Sequence, residues 1–157
     1  MSNEGVTVLL RRRADRGASA VEFALVLPFL LLLVFGLIQY GLYFWALQGG
    51  SDLARGAARL SAVGNANDCT TLTNSVTGTP AAAPGYASTV PTVTRTYTDA
   101  ETPNAVLGQW EPGDKVTVTV TFTAIDMKFP VPFIQGGTVS QRVDARVERI
   151  DGQPTNC

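Results

Sequence analysis

The sequence has no histidine and only two cysteines. Without histidine, the chain cannot form a histidine-based catalytic triad, a histidine general base or a histidine-ligated zinc site. Two cysteines are also too few for a zinc site built from cysteine alone. Enzymes that depend on a catalytic histidine, and zinc sites built from histidine or from cysteine alone, are therefore excluded. A membrane-associated, structural or binding protein remains, or an unusual enzyme that works with carboxylates.

Charge is scarce as well. Charged residues make up 16% of the 157 residues, against roughly 25% in an average soluble domain. The 12 Lys and Arg residues and 13 Asp and Glu residues leave a net charge of −1. Nucleic-acid binding depends on clustered cations that release counterions from phosphates. We therefore expect no nucleic-acid partner.

One long segment contains no charged residue. No charged residue occurs between Glu22 and Asp52, a gap of 29 positions. As a helix this gap would be about 43 Å long, whereas a bilayer core needs ~30 Å, or about 20 apolar residues. A chain this short has too little other apolar mass to bury such a helix. The run is also too long for the apolar region of a signal peptide. We predict a retained transmembrane helix.

The flanking residues give this helix a direction. Four arginines precede it, whereas two arginines and an aspartate follow it closely, so the positive-inside rule places the N-terminus in the cytoplasm. Aromatic residues at the far end suit the outer membrane interface. The arginines are Arg11, Arg12, Arg13 and Arg16 before the helix and Arg55 and Arg59 after it, and the aromatic residues are Tyr40, Tyr43, Phe44 and Trp45.

The junction between the basic leader and the apolar run contains one acid. Ser19 and Glu22 fit the S-x-x-E pattern of a capping box at a helix start. A glutamate in the first turn also interacts favourably with the helix macrodipole. One interpretation of Glu22 is therefore local helix capping.

A second interpretation comes from resemblance. Gly17 is followed by four small or apolar residues, then Glu22 and Phe23, and this junction resembles the processing site of type IV prepilins, especially those of the Flp type. The continuation Ala-Val-Glu-Phe-Ala-Leu-Val-Leu-Pro, followed by further glycines and small residues, resembles the TadE-like family. Members are minor pilins, or pseudopilins, of bacterial tight-adherence systems. The resemblance covers residues 11–63.

This resemblance implies roles for particular residues. A prepilin peptidase would cut between Gly17 and Ala18 and remove the leader. Glu22 would then pair with the new amino terminus of its own chain or of a neighbouring subunit, with Phe23 beside it. An ionisable group this close to the hydrocarbon usually has a partner. The implied partners are the membrane, the peptidase, the major Flp-type pilin, other minor pilins and the inner-membrane assembly platform.

Pro28 lies inside the apolar run. It removes one backbone donor and clashes with the carbonyl of Ala24, so we expect a kink or a local loosening of the helix. It is either a proline that the membrane helix tolerates or a joint used when the helix moves from bilayer to bundle.

The chain changes character after the helix. Thirteen of fifteen leucines lie at or before Leu60, and seventeen of eighteen threonines lie at or after Thr70. Strict period-two alternation predicts strands over 116–124 and 139–148, with a weaker strand over 92–98 and a connection over 129–137. We therefore predict an α+β fold, with a long transmembrane α-helix before a small antiparallel sheet. The predicted segments are a leader over 1–17, a transmembrane helix over 18–47, a helix extension over 48–64, a loop over 65–91 and an extracytoplasmic β-rich region over 92–157.

Two further features concern the helix extension. The pair Gly49 and Gly50 should weaken or bend it, and Gly64 is a natural C-cap. Its small residues could pack against other pilin helices or against the chain's own outer region. They form a ridge of Ala54, Ala58 and Ala62.

The two cysteines lie far apart in sequence. In an oxidising compartment Cys69 and Cys157 could form one disulfide. Two unpaired thiols or an intermolecular bridge are the alternatives. We expect no metal or other cofactor at these or other positions.

No catalytic pattern emerges. The acids of the second half are scattered, and a solvated surface is their default interpretation; they are Asp99, Glu101, Glu111, Asp114 and Asp126. We therefore expect a protein that is not an enzyme. The sequence favours a minor pilin, and the alternative is an uncleaved, single-pass anchored module for binding or adhesion outside the cytoplasm.

Overall fold

A computed structural model of the chain describes residues 4–78, 81–101, 111–128, 137–149 and 155–157, with side chains from Gly17 onward. Two helices precede three strands, which confirms the predicted α+β class. The predicted connection over 129–137 lies, up to residue 136, outside the described residues. The elements are α1 (Glu4–Ala62), α2 (Cys69–Thr77), β1 (Thr92–Thr98), β2 (Lys115–Thr123) and β3 (Thr138–Arg146).

The first helix is longer than the sequence predicted. It begins at Glu4, so Ser19 lies inside the helix and is not an N-cap in the full-length chain. The expected helix start at the junction was therefore wrong. The leader residues are mostly good helix formers, and the only glycine between residue 4 and Gly17 lies at the very beginning, so nothing interrupts the helix before the apolar run.

The first helix ends in a Schellman motif. Gly64 has a φ of 67°, a left-handed conformation that suits glycine. The N–H of Asn65 donates to the carbonyl of Leu60 at 3.1 Å, and the N–H of Gly64 donates to the carbonyl of Ser61 at 3.3 Å. These two bonds satisfy carbonyls that the helix end leaves free. The prediction of Gly64 as the C-cap is confirmed.

The segment predicted as a loop over 65–91 contains α2, which corrects that prediction. Asp68 is the N-cap and accepts the N–H of Thr71 at 2.7 Å. The hydroxyl of Thr71 also donates to Asp68, and these bonds lower the pKa of the Asp68 carboxyl. Leu72 is fully buried. The threonine-rich composition of this segment did not predict a helix. The cap at Asp68 and the buried side chain of Leu72 contribute to its stability.

The three strands form an antiparallel sheet in the order β1-β2-β3. Their bounds confirm the three predicted strands to within two residues. Val118 pairs with Arg95 on one side and with Val143 on the other. Because side chains alternate between faces, β2 buries its valines and Phe122 and directs its threonines outward.

The sheet packs in one compact unit with the second half of α1. That unit begins at Gln39, and the remainder of the chain, up to Ile38, forms another unit. The predicted ridge of small residues is buried in the unit's core, at Ala54, Ala58 and Ala62. The ridge therefore packs against the chain's own outer region, which is one of the two alternatives that the sequence left open.

The glycine pair in α1 permits close packing. A Cβ on Gly50 would lie 2.8 Å from Cε1 of Phe122 and 3.2 Å from Cγ of Gln141. A Cβ on Gly49 would collide with the ring of Tyr86. The helical assignment continues through both residues. Their glycines are thus explained by close approach of the sheet and of Tyr86.

Candidate functional site

The apolar part of α1 before Gln39 is exposed on all sides. Among residues 17–38 only Leu27, Phe35 and Gly36 are half-buried and the others are exposed, so most of each helix face is uncovered in the described part of the chain. Phe29 is 76% exposed and Leu37 is 66% exposed. Such a surface needs lipid or other helices to cover it. The large apolar side chains from Leu30 to Val34 that are at least 40% exposed are Leu30, Leu31, Leu32, Leu33 and Val34.

This segment has the dimensions of a membrane span. Residues 18–38 would extend about 32 Å as a helix, close to the ~30 Å of a bilayer core. By length and composition, α1 contains a candidate span within Gly17–Ala62, and its most apolar window is not buried. A single apolar helix near the N-terminus suggests a single-pass membrane protein.

Gly17 and Ala18 lie within α1 and are exposed. A Cβ on Gly17 would meet nothing within 4 Å. Packing inside the described chain therefore gives no reason for a glycine here, and glycine costs about 1 kcal/mol relative to alanine in a helix. The same is true of Gly36 and Gly41 in this helix.

Glu22 lies four residues after Ala18 on the same helix, and both are exposed. Residues at i and i+4 share a helix face, so a free amine at Ala18 would be within reach of the Glu22 carboxylate. The ion pairs Arg55–Asp52, Lys115–Asp144 and Arg142–Asp144 of the described side chains do not include Glu22. Phe23 follows at 60% exposure. The helical placement is therefore compatible with pairing, which requires a chain that starts at Ala18.

Pro28 lies inside α1, and the α-helical assignment continues on both sides of it. Because proline has no N–H, the carbonyl of Ala24 lacks its usual helical donor. Pro28 is exposed, so its ring faces the lipid or the other helices that cover the apolar segment.

Gln39 marks the start of the second unit. It is only 9% exposed. Its Nε2 donates to the carbonyl of Ile125 at 3.1 Å, and its Oε1 accepts the N–H of Met127 at 3.2 Å. The sequence analysis placed Gln39 inside the transmembrane helix and missed this role. The signal in the sequence was an amide side chain directly after the run of apolar residues that ends at Ile38.

The aromatic residues predicted for a membrane belt have different environments. Trp45 meets Tyr86 edge to face, with ring centroids 5.9 Å apart, and Tyr86 in turn lies 5.6 Å from Phe122. Burial raises the pKa of Tyr86. Tyr43 packs partly buried against the core, whereas Tyr40 and Phe44 are exposed, at 44% and 59%.

Cys69 and Cys157 form a disulfide in the structure, with their Cα atoms 6.2 Å apart. This is within the usual range for such bonds. The bond joins the first residue of α2 to the last residue of the chain. Cys157 also exchanges two backbone hydrogen bonds with Arg95, at 2.9 and 3.2 Å, so the end of the chain lies along the free edge of β1.

Arg95 is a buried cation that the sequence analysis did not single out. Its guanidinium donates to the carbonyls of Ala66 at 2.6 Å, Asn67 at 3.2 Å and Thr155 at 2.9 Å. It also lies 5.3 Å from the centre of the Tyr97 ring. Desolvation by burial lowers the pKa of Arg95. Its position between Val93 and Tyr97 in an alternating strand was the signal that it faces the core.

Asp114 corrects one prediction about the acids. It was expected on a solvated surface, but it is buried, at 7% exposure. Its two carboxylate oxygens accept the N–H groups of Ala100 at 3.2 Å and Glu111 at 2.8 Å. The carboxylate therefore organises the turn before β2.

The outward face of the sheet contains an exposed charge cluster. Asp144 accepts from Lys115 at 2.8 Å and from Thr117 at 2.7 Å, and Arg142 lies 3.4 Å away. These contacts, led by the Lys115 hydrogen bond, lower the pKa of Asp144 to about 2. Within the described ranges, no three His, Cys, Asp or Glu residues are grouped as metal ligands would be.

Comparison with known proteins gives a match to one family model over part of the chain. The family model described as TadE-like protein matches residues 17–59, which confirms the resemblance seen in the sequence. The match begins at Gly17 and lies entirely within α1. No curated protein and no solved structure matches the chain.

Proposed function

We propose that this chain, whose residues 17–59 match the TadE-like family, is a minor pilin of a tight-adherence, type IV-like pilus. In this proposal a prepilin peptidase cleaves after Gly17, and the mature chain takes part in pilus assembly. The match supports an association with such a pilus. The minor-pilin role and the cleavage are our inference.

The observation that carries the proposal is where the match begins. Gly17 stands at the boundary between the basic leader and the apolar run, and it is the first residue matched. The described chain offers no packing reason for glycine at this position. A peptidase subsite without room for a side chain supplies one.

The exposed apolar surface supports the assembly step. A helix that is apolar on every side can be covered by lipid before assembly and by other pilin helices afterwards. Glu22 would then neutralise the new amino terminus at Ala18, either within the chain or between subunits. The partners we propose are the prepilin peptidase, the major Flp-type pilin, other minor pilins and the inner-membrane assembly platform.

The proposed topology places the N-terminus in the cytoplasm and the second unit outside. Four arginines precede the span and favour this orientation. The disulfide between Cys69 and Cys157 suits an oxidising compartment. We propose no enzymatic activity, no cofactor and no nucleic-acid partner, and the mature protein would be a single-pass protein of the cytoplasmic membrane or part of an extracellular pilus.

The test is cleavage. The full-length chain is expressed with and without its cognate peptidase, extracted from membranes and measured by intact mass. We expect residues 1–17 to be lost only when the peptidase is present, leaving Ala18 as the first residue by N-terminal sequencing.

A matched pair of variants sharpens this test. Gly17→Val should abolish processing, whereas Gly36→Val should leave it unchanged. Both glycines lie in α1, and a Cβ at either would meet nothing within 4 Å. Retention of the leader with active peptidase would reject cleavage and favour the uncleaved, anchored binding or adhesion module.

A further inference from the structure

The side chain of Gln39 holds the loop that follows β2 against α1. Gln39 uses both ends of its carboxamide, donating to Ile125 and accepting from Met127, at 3.1 and 3.2 Å. Gln39 is 9% exposed, and the two bonds are partly buried. The loop is therefore fixed beside α1 at the level of Gln39.

That level coincides with the end of the span. Gln39 directly follows the exposed apolar run, which ends at Ile38. An amide in hydrocarbon is costly unless it is hydrogen-bonded, and here the loop backbone satisfies it. If residues 18–38 occupy the bilayer core, the loop lies at the height of the lipid head groups.

The side chains of this loop suit that position. Met127 is apolar and 39% exposed, and Lys128 beside it is exposed. Asp126 accepts the backbone N–H of Lys128 at 2.8 Å, and Lys128 has a φ of 52°. The left-handed backbone is uncommon outside glycine, so the turn fixes the backbone conformation at Met127 and Lys128.

Lys128 lies outside the ion pairs Arg55–Asp52, Lys115–Asp144 and Arg142–Asp144 of the described side chains. The nearest acid in sequence, Asp126, uses one oxygen on the backbone. An apolar side chain beside a lysine is the combination that binds membrane interfaces, because the apolar group enters the acyl boundary while the ammonium stays among phosphates.

We propose that the segment Ile125–Lys128 is a second membrane contact of this protein, in which Met127 enters the lipid interface and Lys128 binds anionic lipid phosphates. The contact would hold the second unit against the bilayer surface before assembly. Tyr40 and Phe44, within two turns of Gln39 on α1, are also exposed. The inference rests on α1 spanning a membrane, which the proposed function also requires, and does not depend on cleavage after Gly17.

The sequence provides a selective probe, because Met127 is the only methionine besides Met1. Full-length protein labelled with photo-methionine is reconstituted into phosphatidylethanolamine vesicles with or without phosphatidylglycerol and irradiated. After proteolysis, the peptide that contains Met127 is examined by mass spectrometry. We expect lipid adducts on it, more abundant by about fivefold with phosphatidylglycerol, as one lysine at an anionic surface predicts.

Two variants serve as controls. Met127→Leu should abolish adducts on this peptide while leaving any at Met1. Lys128→Asn, which tolerates the left-handed backbone, should bring the ratio of adduct yields between the two vesicle types close to one. Cross-links from Met127 to protein only, or no lipid adduct at all, would overturn the proposal. Either result leaves the peptidase test of the proposed function unaffected.

Discussion

The guanidinium of Arg95 donates a 2.6 Å hydrogen bond to the carbonyl oxygen of Ala66, and both residues are almost completely buried. This bond ties the inner face of β1 to the segment that follows α1. The same guanidinium reaches Thr155, close to the end of the chain. One cation therefore joins the strand, the segment that follows the long helix and the C-terminal residues.

We expect Arg95→Met to destabilise the second unit by about 3 kcal/mol, because buried carbonyls lose charged donors. Arg95→Lys should recover part of the loss, since it keeps the charge without the planar fork. Chemical unfolding of the full-length protein in detergent measures both. Arg55→Met is the control, because its side chain is 72% exposed, and it should change stability by less than about 0.5 kcal/mol. Equal effects of Arg95→Met and Arg55→Met would contradict the role of Arg95.

The disulfide should stabilise the region that Arg95 organises. The chain-entropy model gives an upper value of about 4–5 kcal/mol for a sequence separation of 88. In the double variant Cys69→Ser with Cys157→Ser, we expect a lower unfolding midpoint. We also expect faster hydrogen exchange at the Arg95 amide, which donates to the Cys157 carbonyl. The amide of Val118, in the central strand, is the internal control. An unchanged midpoint together with unchanged exchange at Arg95 would show that the bond contributes little.

Gly50 should be intolerant of a side chain. Gly50→Ala places a Cβ too close to Phe122, which is buried and cannot withdraw easily, and overpacking of this kind costs about 1–3 kcal/mol. Gly41→Ala is the matched control in the same helix, because its Cβ would meet nothing within 4 Å, and it should stabilise by up to about 1 kcal/mol. Thermal unfolding should therefore shift in opposite directions. A shift in the same direction would argue against close packing at Gly50.

Glu22→Gln separates the two functional hypotheses. It removes the charge and retains the size of the side chain. The pilin hypothesis predicts normal membrane insertion but loss of assembly, because the positive terminus at Ala18 lacks its counter-charge. The anchored-module hypothesis predicts little change in either. The measurement compares membrane and sheared surface fractions, and Glu101→Gln, at another exposed acid, is the control. Normal assembly of Glu22→Gln would contradict the pairing role.

Local sequence patterns were sufficient for several elements. The period-two alternation of valine and threonine gave β2 and β3, because each side chain's face follows from its position in the strand. Gly64 was recognisable as a helix end from glycine chemistry alone. The pattern failed at α2, where the cap at Asp68, the buried Leu72 and the Cys69–Cys157 disulfide hold a short helix in a segment of loop-like composition.

Long-range contacts were beyond the reach of these patterns. The bonds from Gln39 to Ile125 and Met127 span almost ninety residues, so composition alone could not show that the second unit begins at Gln39. The packing role of Gly49 and Gly50 could not be predicted from local patterns either. A glycine's local effect is flexibility, whereas Gly50 is explained by a strand seventy residues away.

By itself, the sequence determined the uncharged apolar run, the junction at Gly17 and the alternating strands, because each depends on residue type and spacing within a short segment. The tertiary structure decided where the folded unit begins, which cation is buried and what the glycines and small residues of α1 contact. Those features depend on atoms brought together from distant positions. At Gln39 the sequence shows the end of the apolar run, and the tertiary structure shows the loop beside it that we propose contacts the membrane.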